Sequence, residues 1–178
     1  DHYEWQVGEQ VQYNVLVENK REGTIARNVT IWDTQMPAGL ALVSAEDVSV
    51  SGIPQTITQP VAGIEDVPNQ LNPEFYNETS EKTVNYEFLQ EGSGWRLNIS
   101  DLPAYTPVMI SFLCTVTEEA NGMESINVAN VQAQNAPAAQ DDAEVYVNTA
   151  VLSVEKTVQE PYLAAGDGRA ENEFRVGE

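Results

Sequence analysis

Two polar residues, Asp33 and Asn127, fall where the alternation of the sequence predicts the buried face of a β-strand. Asp33 follows Val29 and Ile31 at every second position, and Asn127 shares its face with Ala129 in the same way. An aspartate on a buried face is costly unless it is protonated or paired. A carboxylic acid kept neutral by apolar surroundings can exchange protons near neutral pH, so Asp33 is a candidate catalytic acid.

Each of these residues also has a purely structural interpretation. Asp33 opens the segment DTQMPAG, which contains a Pro-x-Gly turn, and its carboxylate could cap that turn by accepting backbone N–H groups. Asn127 could be an ordinary strand asparagine that is hydrogen-bonded to the backbone. The sequence alone leaves both alternatives open.

Composition excludes several classes of function. The 178 residues include 28 acidic and 8 basic side chains, for a net charge of −20. Nucleic acid and anionic lipid would be repelled by such a chain. There is no apolar run of membrane-spanning length, so we expect no membrane insertion.

The remaining reactive residue types are sparse. The single cysteine, Cys114, lies in a strand-like segment and is predicted to be a buried, inert thiol. The single histidine, His2, is too isolated for a zinc site or a catalytic triad. Because no acid, base and nucleophile converge, we expect neither a metal, nor a cofactor, nor an enzyme that turns over a substrate.

The elements that position Asp33 and Asn127 are predicted to be β-strands throughout. Apolar residues alternate with polar ones from Val11 to Val17, and VNYEFLQEGSGWRLNIS reads as two strands around a Gly-Ser-Gly turn. Frequent strand signals separated by turns indicate an all-β, antiparallel sandwich. Residues 52–82, with four prolines, are predicted to be a long irregular insert.

The chain repeats one phrase near its two ends. EWQVGE at Glu4–Glu9 and EFRVGE at Glu173–Glu178 are 169 positions apart and agree at four of six positions. Such a period predicts a string of domains. We therefore expect residues 1–148 to be one repeat that lacks its first strand. Residues 149–178 would carry the opening strand and linker of the next repeat.

Three stretches, taken in order, resemble a known family. They are VGEQVQYNVLVEN…ARNVTIWDTQMPAGLALVSA, GWRLNISDLPAYTPVMISFLCTV and INVANV. Together they are similar to the Ig-like conserved repeat of bacterial surface proteins, which includes isopeptide-forming fimbrial and collagen-adhesin-type stalk domains. The resemblance covers roughly residues 6–148, and it implies an Ig-like sandwich stacked with neighbouring repeats into an extracellular stalk at the cell wall.

The resemblance also implies a chemical reaction. Many related stalk domains carry a Lys–Asn isopeptide bond that forms without a separate enzyme beside a carboxylic acid. On the matching positions, Asp33 would be the acid, Asn127 the amide and Lys156, in SVEKTV, the lysine. A bond of this kind would suit a chain that cannot form an internal disulfide.

Lys156 belongs to the second copy of the phrase, which leaves two outcomes open. In one, the first domain has no cross-link, and Lys156 awaits an asparagine outside this sequence. In the other, residues 150–158 fill the place of the first strand, in this chain or by strand exchange with another copy, as an open sheet edge invites. The second outcome is our prediction. Lys20 and Lys82 lie in polar segments and are expected to be solvated.

An alternative function is an adhesive module. The insert at 52–82 contains the adjacent aromatic residues Phe75 and Tyr76, which could bind a host protein or a glycan. The structural alternative is that one of these rings anchors the insert to the sandwich.

Overall fold

The computed structural model describes residues 4–60, 79–120, 122–147 and 153–156. Over these ranges the chain is an all-β sandwich built almost wholly from antiparallel strands. The strands are β1 (Glu4–Trp5), β2 (Gln10–Val17), β3 (Ile25–Asp33), β4 (Leu40–Leu42), β5 (Ser49–Ser51), β6 (Thr56–Pro60), β7 (Thr79–Thr83), β8 (Tyr86–Glu91), β9 (Gly94–Pro103), β10 (Val108–Val116), β11 (Glu124–Ala133) and β12 (Ala136–Val147). Short 3-10 turns occur at Ala45–Asp47 and Glu118–Ala120.

Two sheets form the layers of the sandwich. The larger has the strand order β1-β12-β11-β3-β9-β8, and the smaller has the order β2-β10-β4 with β5 also pairing with β10. Only the short β1–β12 pairing is parallel among these strands of the described ranges. β2 is an edge strand of the smaller sheet, because β10 is its partner on one side and no strand of the described residues pairs with the other.

The core lies where the inward faces of β9 and β10 meet. Every second residue of β10 from Val108 to Val116 is buried, as its alternating sequence predicts. Phe112 stacks with Tyr13 of β2 at a ring-centroid distance of 5.3 Å and meets the edge of Trp95 of β9 at 5.5 Å. Cys114 is buried beside them, as predicted, and burial raises the pKa of its thiol to about 12.

The region predicted to be an irregular insert has ordered ends. β6 and β7 pair antiparallel, from Thr56 opposite Thr83 to Pro60 opposite Thr79, and form a two-stranded arm. Residues 61–78, which join these strands, lie outside the described residues. The predicted hairpin is confirmed: β8 and β9 pair from Tyr86 opposite Ile99 to Glu91 opposite Gly94.

An ion pair joins the arm to the sandwich and corrects the expectation that Lys82 is solvated. The ammonium of Lys82, on β7, lies 2.6 Å from Oδ2 of Asp101, on β9. Asp101 is only 1% exposed, whereas the Lys82 side chain is 39% exposed. The polar sequence around Lys82 gave no sign of this partner, because Asp101 is distant in the chain and reaches Lys82 only through the fold.

Candidate functional site

The two candidate residues meet between neighbouring strands of the larger sheet. Asp33 is the last residue of β3, and β11 pairs with β3 with Asn130 opposite Trp32. This register places Asn127 diagonally across from Asp33, on the same inward face. The Nδ2 group of Asn127 donates a hydrogen bond of 2.6 Å to Oδ2 of Asp33. The sequence therefore identified two residues, 94 positions apart, that are in direct contact.

Both side chains are buried, yet the pair is incompletely hydrogen-bonded. Asp33 is 1% exposed and Asn127 is 5% exposed. Within the described residues, the second oxygen of the carboxyl group, Asp33 Oδ1, and the amide oxygen, Asn127 Oδ1, have no hydrogen-bond partner. Buried polar atoms are usually satisfied, and an unsatisfied one stores free energy that a suitable ligand or reacting group can recover.

Burial dominates the electrostatics of Asp33. It raises the pKa of this carboxyl group to about 6, and the hydrogen bond from Asn127 opposes the shift only in part. The physical cause is that an ionised carboxylate loses hydration between the sheets without gaining a cation. At neutral pH the neutral and ionised forms are consequently close enough in free energy for proton exchange.

The surroundings of the pair are mostly apolar and aromatic. Trp95 lies opposite Asp33 in the β3–β9 register and is fully buried. Tyr13 and Cys114 are close enough that the negative charge of Asp33 adds to the burial that raises the pKa of each. Sequence reasoning did not place Tyr13 at the site. The feature that could have identified Tyr13 is its position on the inward face of β2, between Val11 and Val15.

The turn after Asp33 is held together by other groups. The hydroxyl oxygen of Ser93 accepts the N–H of Met36 at 2.9 Å, and the N–H of Leu40 donates to the carbonyl of Pro37 at 3.1 Å. The hydrogen bond shown for the Asp33 carboxyl is with Asn127, not with the turn. The same hydrogen bond argues against the structural interpretation of Asn127 as a backbone-bonded strand residue, because its Nδ2 group donates to a carboxyl group.

A depression in the surface leads to the amide of Asn127. It has a volume of about 110 Å³ and opens between β2 on one side and β11 and β12 on the other. Tyr13, Val15, Asn127, Ala129 and Ala143 contribute to its lining. A side chain entering from the open edge of the sandwich therefore has a route to the acid–amide pair.

The third residue of the predicted bond, Lys156, is exposed and does not line this depression. Residues 153–156 are exposed and belong to no strand, so these residues do not show the segment filling the first-strand place within its own chain. The alternative, in which residues 150–158 fill that place in another copy, stays a prediction. The structure thus brings Asp33 and Asn127 together and does not bring Lys156 to them. Phe75 and Tyr76 lie outside the described residues, so the adhesive interpretation of the insert stays a prediction.

Comparison with known proteins found no match for the chain among family models, curated proteins or solved structures. In the described ranges there is no helix with the length and hydropathy to cross a membrane. The same ranges contain no group of three or more His, Cys, Asp or Glu residues arranged to bind a metal ion.

Proposed function

We propose that this chain is a structural repeat of a bacterial surface or fimbrial stalk, in which Asn127 forms an isopeptide bond with the lysine of an added strand and Asp33 acts as the acid. The observation that carries the proposal is the buried contact between the carboxyl group of Asp33, whose pKa is raised, and the amide of Asn127. The resemblance of three sequence stretches to surface-protein repeats supports the extracellular setting.

The reaction at this pair is an amide exchange. A neutral lysine amine attacks Cγ of Asn127, and neutral Asp33 donates a hydrogen bond to the amide oxygen as negative charge develops there. Half a turn of the amide about its Cβ–Cγ bond places Oδ1 of Asn127 opposite Asp33 for this step. Collapse of the intermediate breaks the bond between Cγ and Nδ2, ammonia departs with the proton relayed by Asp33, and a new C–N bond remains.

Burial favours every participant in this reaction. It raises the pKa of Asp33, which maintains a neutral fraction of the acid, and it would lower the pKa of an entering lysine, which frees the attacking lone pair. The product stays attached to the protein, so each site reacts once and the repeat is not an enzyme that turns over.

A covalent bond at this position suits a mechanical role. Asn127 lies on β11, between β3 and β12 in the middle of the larger sheet. A strand bonded there is tied to the interior of the sandwich rather than to a frayed end. The chain contains a single cysteine, so no disulfide within it can supply the same restraint.

The test supplies the lysine strand from outside. The Lys156→Arg variant, which keeps the charge but has no reactive amine, is incubated with a synthetic peptide of residues 150–159, and the intact mass is measured. We expect an adduct whose mass is the sum of the two components less one ammonia. An unmodified protein in a solution where the peptide demonstrably binds would overturn the proposed function.

Three further variants separate chemistry from binding. Asn127→Ala removes the acceptor and should abolish the adduct, while Asp33→Asn removes the acid and should slow its formation by at least about a hundredfold. Asn130→Ala is the matched control, since Asn130 lies on the same strand with the opposite orientation and should leave the yield unchanged.

A further inference from the structure

We propose that the open edge of the sandwich binds the segment around Val154 and Lys156 of a second copy of this chain as an added strand. The inference deepens the proposed function, on which it rests for the role of Lys156, by naming the partner of the site. The docking itself stands on separate observations, namely an uncovered groove, an uncovered apolar side chain and the length of the chain that joins them.

The receptor surface is a groove between the inward faces of three strands, which we call the edge groove. Three overlapping depressions of about 110, 280 and 500 Å³ form it, and they share lining residues. Its inward-facing members are Val15 and Val17 of β2, Ala129 and Val131 of β11, and Ala139 and Asp141 of β12.

Along this groove, the inward-facing side chains of β2 and β12 are less buried than elsewhere in the sandwich. On β2 the inward residues Val11 and Tyr13 are buried, but Val15 and Val17 are only half-buried. On β12 the inward residue Val145 is buried, whereas Ala139, Asp141 and the rest of the strand before it are exposed. Small side chains line this stretch, so room remains for another row of side chains between the sheets.

The occupant is suggested by the most exposed large apolar side chain of the described residues. Val154 is 95% exposed in a segment that belongs to no strand. Lys156 lies two positions further, so in an extended strand both side chains point to one face. A strand with this pattern would place a valine among the half-buried residues of the groove and a lysine amine at the acid–amide pair.

Local charge near Asn127 also favours a segment that carries a lysine. The lining of the groove near Asn127 includes the acidic residues Asp141 and Asp142, of which Asp141 faces inward. The ammonium group of Lys156 is attracted along that mouth, and this local attraction opposes the long-range repulsion between two copies that each carry a net charge of −20.

The position of the uncovered surface sets the direction of the added strand. Val154 must lie against Val15 and Val17, because Val11 and Tyr13 are already buried, and Lys156 must lie near Tyr13 to reach Asn127. The added strand therefore runs antiparallel to β2, and so parallel to β12 along the edge.

Chain length then decides between the same chain and a second copy. With Lys156 level with Ala143, the β12 partner of Asn127, Ser153 lies level with Gln140, seven residues back from the end of β12 at Val147. Seven residues of strand span about 23 Å, and the six steps from Val147 to Ser153 reach at most about 22 Å when fully straight. No length is left for the reversal and the sideways step that the path requires, so the segment must come from another molecule.

Such binding is head-to-tail, because the groove and the segment are different surfaces of one chain. Interfaces of this type continue from copy to copy until they close in a ring or extend as a filament. The full chain should thus form oligomers that grow with concentration, and each junction should place Lys156 of one copy at Asn127 of the next.

The test measures the self-association of the full chain by sedimentation velocity over a range of concentrations. Val154→Asp should raise the dissociation constant about tenfold or more, since it replaces a buried apolar side chain by a charge. Ser153→Asp is the matched control, because it adds the same charge on the face of the strand that points away from the groove. A monomer at every concentration, or equal association of the native chain and Val154→Asp, overturns the proposal.

Isotope mixing identifies the partner. Equal amounts of ¹⁵N-labelled and unlabelled chain are combined, and any covalent junction between Lys156 and Asn127 is located after digestion. Junctions that join labelled to unlabelled segments support a second copy, and junctions confined to one label overturn it. Association that depends on Val154 without loss of ammonia would support docking and contradict the proposed function. If the synthetic peptide forms an adduct but the full chain does not associate with itself, the proposed function is supported and the docking of a second copy is contradicted.

Discussion

At the scale of single residues, the central group of the site is the carboxyl group of Asp33, which is shielded from water. Asp33 ends a strand whose alternation buries it, and its contact is an uncharged amide rather than a cation. Desolvation therefore exceeds the stabilising hydrogen bond, and the pKa rises. The sequence predicted this burial from the spacing of Val29, Ile31 and Asp33. The missing cation could not be predicted, because it depends on which strands become neighbours.

The raised pKa of Asp33 predicts how stability depends on pH. The folded state holds the proton up to about pH 6, whereas the unfolded chain releases it near pH 4. The folded state thus binds more protons between these values, and the contribution of Asp33 to the free energy of unfolding decreases as pH rises through that window. In Asp33→Asn this contribution is absent, so the melting temperature of the variant relative to the native chain should rise by a few degrees from pH 4 to pH 7.

The comparison requires a control for the loss of one negative charge from an acidic chain. Asp141→Asn removes a carboxylate from the exposed inward face of β12 and serves as the reference for the loss of one negative charge. Equal changes in melting temperature with pH for Asp33→Asn and Asp141→Asn would contradict the raised pKa of Asp33.

At the scale of the elements, a glycine lets two strands pack closely enough to hold Asp33. Gly94 begins β9, and a Cβ atom built on it would collide with the carbonyl oxygen of Asp33. Gly94→Ala should therefore force the end of β3 to move, with a loss of about 1–3 kcal/mol in the free energy of unfolding. Chemical denaturation measures this loss.

Gly122→Ala is the reference for the change at Gly94. Gly122 has open space around its Cα and a φ of +68°, so this substitution introduces backbone strain without a collision, at about 1 kcal/mol. Equal losses for the two variants would contradict a specific contact with Asp33. The Gly94→Ala variant should also form the peptide adduct more slowly, because the carboxyl group moves with the strand.

The two-stranded arm depends on the ion pair between Lys82 and Asp101. Lys82→Met leaves the carboxylate of Asp101 buried without its cation and should lower the free energy of unfolding by about 1–3 kcal/mol, a range reduced for the exposure of the lysine. Adding Asp101→Asn to this variant should restore part of the loss, because no unpaired charge then remains. Thermal unfolding of the native chain, Lys82→Met, Asp101→Asn and the double variant measures the coupling between the two residues.

The exposed residue Lys20 provides the control for the arm. Lys20→Met removes the same charge without leaving a buried partner and should change the stability by less than about 0.5 kcal/mol. A loss for Lys82→Met no larger than that would mean that the pair does not stabilise the arm.

At the scale of the whole molecule, periodicity predicted the sandwich but not its edges. The alternation in β10 and the turn between β8 and β9 are local signals, and both elements form as the sequence indicated. The arm of β6 and β7 joins segments separated by a long insert, so its pairing is invisible to a local pattern. β12 begins at Ala136, earlier than its apolar residues suggested. Its first nine residues are exposed on both faces, so no alternation of apolar and polar residues marks this part of the strand.

The same limit applies to the site. Alternation and resemblance together pointed to Asp33 and Asn127, since each lies in a regular strand whose inward face is readable. Lys156 lies after the last strand of the described sandwich. Our proposal for its partner rests on chain length and on the uncovered groove rather than on its neighbours in sequence. The position of a lysine in a motif therefore predicts the group with which it can react. It does not predict whether the lysine comes from the same molecule or from another.

The measurement that tests the central claim most directly is the location of the new bond by tandem mass spectrometry. The Lys156→Arg chain is treated with the lysine-bearing peptide, digested, and searched for a branched fragment. We predict one junction, between the peptide lysine and Asn127, with one ammonia lost and with its yield strongly reduced in Asp33→Asn. A junction at Asn130 or at any amide other than Asn127, or a yield that does not depend on Asp33, would contradict the account.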